Sequence, residues 1–223
     1  MDQKLEGIFQ KYETLARQAD SAFAAVARSY PDLVACKPSC ADCCHALFDL
    51  SLVEAVYLNH WFNRDLAPEV REKILAAADR ADRKAYQVKR EAFQLAEKGQ
   101  EQDKVFSRIA FERVRCPLLD EENRCMLYDR RPITCRLYGI PTAIEGKGHT
   151  CGFSGFAEGE AYPTVSMDVM HQKLFGLSLE FCQHLDSKYG KLSEVLMPVS
   201  MALMTVFNDE FLGIRSREGE TAG

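Results

Sequence analysis

The sequence contains no long apolar run and no excess of positive charge. No stretch approaches the roughly 20 apolar residues that a membrane-spanning helix needs, so we expect no membrane partner. The 223 residues carry a formal net charge of −5, which does not attract a phosphate backbone, so we expect no nucleic-acid partner. The N-terminus lacks a basic start, an apolar run and a small-residue cleavage site, so we expect a cytoplasmic protein.

Common catalytic signatures are also missing. The sequence shows no Ser/His/Asp triad pattern and no His-Glu-x-x-His, and the glycines at 146 and 148 are too close together for a phosphate-binding loop. Strand-like segments are limited to short pieces, at residues 46–50 and 136–140. Hydrophobic residues make up 47% and charged residues 27%, which predicts a packed core.

Apolar residues three and four apart predict several helices. Residues 4–29 form one amphipathic stripe, and Ser51 with Glu54 forms a capping box that starts a second helix. Pro68 and Gly99 mark the first turn and the end of a third helix. We expect its stripe to pack against the N-terminal helix, with a homodimer seam as the alternative. That stripe consists of Ile74, Ala78, Ala81, Ala85, Val88, Ala92 and Leu95.

The second half of the chain is less regular. Residues 113–163 are rich in Cys, Pro, Gly, Arg and Tyr and predict a loop-rich segment. Helical patterns return near 167–186 and 193–212, and the polar tail from residue 216 is expected to be disordered.

These patterns predict a mainly α protein, with a helical bundle or hairpins around an irregular, cysteine-rich metal-binding centre. We expect a single domain over residues 1–223. Its cysteine-cluster core would span 36–152, with a helical hairpin inserted at about 52–98. Residues 1–30 and 165–213 would supply the packing helices.

Nine cysteines are an odd number, which fits disulfides poorly, and disulfides are rare in a reducing cytosol. Cys36, Cys40, Cys43 and Cys44 lie within nine residues, and the turn at 38–39 would let their sulfurs converge. The residues between them are polar or turn-forming, which is untypical of a hydrophobic core. Because a bound metal ionises thiols near neutral pH, this cluster predicts a metal site.

A second set of cysteines follows at long, irregular spacings. We predict that it joins the first cluster, so that Cys40, Cys43 or Cys44 lies beside Cys125 or Cys135. The predicted metal ligands are Cys36, Cys40, Cys43, Cys44, Cys116, Cys125, Cys135 and Cys151. Cys182 lies in a helical pattern and is interpreted as a buried core cysteine.

Two groups of neighbouring residues have open roles. His45 and His149 lie next to cysteines, as neighbours or as zinc ligands. The arginines either offset thiolate charge or pair with nearby acidic residues, and they are Arg124, Arg131 and Arg136.

The cysteine pattern resembles the YkgJ-type cysteine-cluster proteins, a family described as zinc- or iron-chelating. The resemblance covers about residues 36–152 and implies metal chelation. It rests on a compact cluster followed by a C-P-x-L … R-C-x-x-Y-x-x-R-P-x-x-C-R run, here Cys40, Cys43, Cys44, Cys116, Pro117, Leu119, Arg124, Cys125, Tyr128, Arg131, Pro132, Cys135 and Arg136.

One spacing departs from that family. Three residues, rather than two, separate Cys36 from Cys40, which creates the CxxxCxxC signature of radical S-adenosylmethionine enzymes with Cys43. Flagellin lysine methylases carry a similar cysteine domain, so an iron–sulfur, S-adenosylmethionine-dependent methylase-like enzyme is one alternative. A zinc-stapled interaction module is another. The main hypothesis is a metal-binding protein that holds zinc or an iron–sulfur cluster, with a [4Fe–4S] cluster favoured because paired CxxC knuckles are missing.

Overall fold

The computed structural model describes residues 3–37, 40–99 and 112–215. Its helices are α1 (Gln3–Ser29), α2 (Leu52–Asp65), α3 (Pro68–Glu97), α4 (Ile133–Leu137), α5 (Met167–His184), α6 (Val199–Met204) and α7 (Asp209–Leu212). Its strands are β1 (Asp49–Ser51), β2 (Thr142–Ile144), β3 (Lys147–His149), β4 (Val165–Ser166) and β5 (Leu196–Pro198). The prediction of a mainly α fold is therefore confirmed. The predicted turn at 38–39 and the polar tail lie outside the described residues.

Helix α1 confirms the amphipathic helix predicted at residues 4–29. Its apolar stripe is buried against α4 and α5. Burying one apolar face while the other stays in water is what holds an amphipathic helix on a core. The buried positions include Ile8, Tyr12, Leu15, Ala19 and Val26.

Helix α2 occupies the interior of the protein. Its first two turns are buried on every side, from Leu52 to Leu58. The helix packs between α5 and α6, and the preceding strand β1 pairs antiparallel with β5. The first turns of α2 are buried on every side, so this helix lies in the core between α5 and α6.

Glu54 forms the predicted capping box and also binds a second helix, which the sequence did not indicate. Its carboxylate accepts hydrogen bonds from the Ser51 N–H at 3.2 Å and the Ser51 hydroxyl at 3.1 Å. It also accepts one from the Ile133 N–H at 3.0 Å, at the start of α4. Burial of this carboxyl raises its pKa above the ordinary value, because the charged form loses its hydration. Glu54 thus ties α2 to the short helix that carries Cys135.

We expect Glu54→Ala to lower the free energy of unfolding by about 3 kcal/mol, because it leaves buried N–H donors of both helices without acceptors. Urea denaturation measures this change. Glu69→Ala, in the exposed first turn of α3, is the control and should change the free energy by less than about 0.5 kcal/mol. Equal effects of the two substitutions would refute the linking role of Glu54.

Helix α3 begins at Pro68 and ends at Glu97, and Gly99 follows with a φ of 78°, as the sequence predicted. The predicted partner is wrong. The stripe of α3 packs mainly on α6, and its Ile74 belongs with Ala202 and Leu203 in a core cluster separate from that of α1. The small alanines at this contact allow the close approach that the sequence indicated, but to a different helix.

The helix predicted at 193–212 is also wrong. Residues 196–198 form β5, and the chain then gives two short helices, α6 and α7, rather than one. Pro198 lies before α6 because its fixed φ suits a helix start, and Asn208 begins α7 by accepting a hydrogen bond from the Phe211 N–H at 2.9 Å. The helix predicted at 167–186 is confirmed by α5.

Of the two short strand predictions, the first is confirmed in part and the second is wrong. Residues 46–50 overlap β1, whereas residues 136–140 contain the end of α4 and a turn. A second small sheet has the strand order β3-β2-β4, with β2 and β3 forming a hairpin. The division of the chain into a cysteine core and packing helices stays a prediction. In the part of the chain that the structure describes, no helix is long and apolar enough to cross a membrane.

Candidate metal centre

Five cysteine side chains line one small cavity of about 60 Å³. A cavity needs roughly 10–15 Å³ to admit one water molecule, so this space admits an inorganic group larger than a single water. The predicted meeting of the first cluster with Cys125 and Cys135 is visible here. We call these residues the inner group: Cys43, Cys44, Cys116, Cys125 and Cys135.

Backbone hydrogen bonds hold the first cluster against the second. The Cys116 N–H donates to the Cys44 carbonyl at 2.6 Å, and the Val114 N–H donates to the His45 carbonyl at 3.0 Å. These bonds fix residues 44–45 alongside 114–116, although the two segments are far apart in sequence. The two thiols on either side of the pairing therefore face the same cavity.

A tight hairpin carries Cys125 back beside Cys116. The Met126 N–H donates to the Leu118 carbonyl at 2.9 Å, and the turn contains Asn123 at a φ of 59°. The Asp120 carboxylate accepts from the Arg124 N–H at 2.7 Å, which stabilises the turn as Asp side chains commonly do. The Arg-Cys run of the sequence thus has a structural role in forming this hairpin.

Burial makes the inner thiols hard to ionise. It raises the pKa of Cys116 to about 12, and it raises the pKa of Cys125 and Cys135 above the ordinary value. The Arg131 guanidinium partly offsets this effect at Cys125 and Cys135. A thiolate binds metal and a thiol does not, so a bound cation is what would ionise these groups.

Cys43 and Cys44 form a coupled pair, with their sulfurs 3.9 Å apart. The hydrogen bond between them lowers the pKa of Cys43 to about 7 and raises that of Cys44. Arg131 also lowers the pKa of Cys43. The pair therefore holds a thiolate more readily than the other inner residues.

The three arginines of the motif have different partners. Arg124 pairs with Asp120 and Glu122 at the surface. Arg136 is buried and donates to the Asp20 carboxylate at 2.6 Å and to backbone carbonyls, which makes it a structural clamp. Arg131 lines the cavity of the inner group. Of the two interpretations left open by the sequence, charge offset applies to Arg131 and pairing with nearby acids to Arg124, while the buried pair of Arg136 with Asp20 matches neither.

A second set of cysteines, which we call the outer group, consists of Cys36, Cys40 and Cys151. The Asp42 carboxylate accepts from the Tyr138 hydroxyl at 3.0 Å and from the Cys151 thiol at 3.3 Å, and it pairs with Arg113. The pKa of Cys36 is raised to about 11 by burial and by the neighbouring Cys40, Cys151 and Cys43. Because Cys43 belongs to the inner group, the two groups lie side by side and interact electrostatically.

Sequence reasoning missed Asp42 and Tyr138. Asp42 stands between Cys40 and Cys43, so its position inside the cluster was a usable signal. Tyr138 lies three residues after Cys135 and gave no signal of its own, because only the fold brings its hydroxyl to Asp42.

Gly139 is the closest backbone neighbour of the outer group. It has a φ of 104°, and a Cβ built there would lie 2.2 Å from the Cys36 sulfur. The Cys36 thiol also donates to the Tyr138 carbonyl at 3.5 Å. A residue with a side chain cannot occupy position 139 unless Cys36 moves.

We expect Gly139→Ala to lower the free energy of unfolding by about 1–3 kcal/mol more than Gly146→Ala. Gly146 has a similar φ of 75° but open space around its Cβ position, so the difference isolates the contact with Cys36. Urea denaturation of both variants measures it. Equal losses would show that Cys36 does not pack on Gly139.

The remaining predicted residues lie apart from the inner cavity. His45 Nδ1 lies 3.0 Å from the Ala41 carbonyl, and His149 is exposed on β3. Cys182 is buried in α5 among apolar side chains, as predicted. All nine cysteines are free thiols.

The donor chemistry of this region suits zinc or iron, both of which accept cysteine sulfur. Among the described residues, no three Cys, His, Asp or Glu side chains are arranged, as placed, to hold a metal ion. The inner thiols surround a common cavity, and each has a single rotatable bond that can turn its sulfur inward. The inner group therefore fits a zinc or iron centre in the type and location of its donors. The thiols must rotate before they can bind the metal.

Comparison with known proteins identifies a family. No curated protein and no solved structure matches the chain. The model of the CxxCxxCC family, described as a "Putative zinc- or iron-chelating domain", matches residues 35–152, more than half of the chain. The matched span begins just before Cys36 and ends just after Cys151, so it contains both cysteine groups. The chain therefore belongs to the CxxCxxCC family of zinc- or iron-chelating domains.

Proposed function

We propose that the protein binds an iron–sulfur cluster through cysteines of the inner and outer groups. Metal chelation is the property of the family, and the cluster is the finer proposal. The observation that carries it is the convergence of five thiols from three separate segments on one cavity. Buried cysteines that serve only to fill a core have no reason to gather in this way.

The spacing of the cysteines favours a cluster over a structural zinc ion. Both centres take four cysteine ligands, but the chain lacks the paired CxxC knuckles that are typical of structural zinc sites. Thiolates around a cluster carry net negative charge, and Arg131 lies in the cavity wall to offset it. The coupled pair of Cys43 and Cys44 supplies the first thiolate most easily, since Cys43 has the lowest pKa of the inner group.

The proposed ligands are drawn from Cys36, Cys40, Cys43, Cys44, Cys116, Cys125, Cys135 and Cys151. A bound cluster supplies one-electron redox chemistry. The inner thiols are partly exposed, and buried apolar side chains such as Leu118 and Leu127 line their cavity. Asp42 holds the Cys151 thiol and the Tyr138 hydroxyl in place on the outer side.

The visible absorption spectrum of protein purified without air, together with its iron, zinc and sulfide content, tests the proposal. We expect a coloured protein with stoichiometric iron and acid-labile sulfide. Colourless protein with stoichiometric zinc would contradict the cluster and leave the zinc form of chelation.

A further inference from the structure

A second and much larger cavity, of about 670 Å³, lies beside the outer group. Its walls come from β1, α4, the β2–β3 hairpin, α5 and the segment before β5. Ligand pockets in proteins commonly measure about 300–1,000 Å³, so this cavity is large enough for a whole small molecule. Cys151 and Tyr138 stand in its wall and connect it to the outer group.

The cavity is apolar and aromatic at its mouth as well as inside. Ile144, Phe175 and Leu196 line it and are 41%, 43% and 66% exposed. Large apolar side chains that are exposed together around one opening are typical of a binding site. Phe48, Tyr138 and Phe175 are the aromatic residues of the lining.

The lining contains more acidic than basic side chains. Three carboxylates and two histidines, His149 and His171, line the cavity, and no lysine or arginine does among the described residues. Asp49 is neutralised by Lys89 at 2.6 Å, and Glu54 is occupied by its capping hydrogen bonds. Glu194 is exposed and has no ion-pair partner in the described part of the chain, so its charge is available to a ligand.

We propose that this cavity binds a small organic cation with an apolar body. Aromatic faces attract cations through their negative π-electron density, and an unpaired carboxylate adds a direct charge. A phosphate-bearing ligand would find no lysine or arginine to pair with in the described lining, where His149 and His171 are the basic side chains. The cation would rest between Phe175 and Glu194, and its apolar body would cover the side chains at the mouth.

Isothermal titration of the full chain with benzyltrimethylammonium tests this proposal, with phenylacetate as the anionic counterpart at the same ionic strength. We expect the cation to bind and the anion to bind at least about fivefold more weakly. Glu194→Gln and Phe175→Ala should each weaken binding of the cation about two- to fivefold. Glu158→Gln, an exposed carboxylate outside the cavity, is the matched control and should leave it unchanged.

Equal binding of the anion, or wild-type affinity in Glu194→Gln, would overturn the proposal. The titration is made with metal-loaded protein and repeated after metal removal, with circular dichroism to verify the fold of each sample. The absorption spectrum decides the metal centre separately, so failure of one proposal is distinguishable from failure of the other.

Discussion

Removal of the bound metal by a chelator is expected to lower the melting temperature by about 10–20 °C. If the inner group joins three segments through a metal, the free energy of metal binding becomes free energy of folding. Zinc-finger peptides bind zinc with a free energy of at least about 10 kcal/mol. If half of that value, about 5 kcal/mol, stabilises this chain, the melting temperature of a protein of this length changes by about 10–20 °C. Thermal unfolding followed by circular dichroism, with metal content measured on the same samples, gives the result.

Helix α3 provides an internal control for this experiment. Its apolar stripe packs mainly on α6, while its Ala81 and Ala85 also line the cavity of the inner group, so we expect part of its helical signal, but not all of it, to survive after the metal is removed. Loss of all helicity at once would show that the helices depend on the metal as well. An unchanged melting curve after verified metal removal would mean that the cysteines are not structural ligands.

Cys135→Ser and Cys40→Ser are each expected to lose most of the bound metal, while Cys182→Ser keeps it. Cys135 lies in the cavity wall on α4, whose first N–H is fixed by Glu54. Cys40 contributes to the electrostatic environment of Cys36 in the outer group. Cys182 is buried in an apolar cluster on α5, away from both cysteine groups, which makes it the control.

Metal analysis of the three purified variants measures the effect, and circular dichroism verifies that each is folded. Retention by Cys40→Ser alone would remove Cys40 from the ligand set and leave the inner group. Equal metal loss in Cys182→Ser would show that the effect follows from disturbing any buried cysteine.

Local signals made much of the fold predictable. The stripe of α1, the capping box of α2 and the Pro68 and Gly99 boundaries of α3 each act within a few residues, so the sequence alone determines them. The partner of α3 was not predictable, because an alanine-rich stripe can pack closely on any helix. In addition, the sequence did not predict α6 as a separate helix. Pro198 starts a short helix after a strand rather than interrupting a long one, and this depends on the pairing of β1 with β5.

The site was predictable in its residues but not in its arrangement. The spacing of the cysteines indicated metal chelation, yet the separation into inner and outer groups depends on backbone bonds such as that from Cys116 to Cys44. The sorting of the arginines depends on partners distant in sequence, such as Asp20 for Arg136. The second, larger cavity is lined by Phe48, Phe175 and Glu194, which share no motif and come together only in the folded chain.

X-ray absorption at the metal edge of anaerobically purified protein tests the central claim most directly. Cysteine ligation predicts a first shell made of sulfur, at about 2.3 Å for a zinc site. An iron–sulfur cluster adds a second, metal-to-metal shell, which a mononuclear zinc site lacks. A first shell of oxygen and nitrogen, or protein without stoichiometric metal, would contradict the assignment of the cysteines as metal ligands.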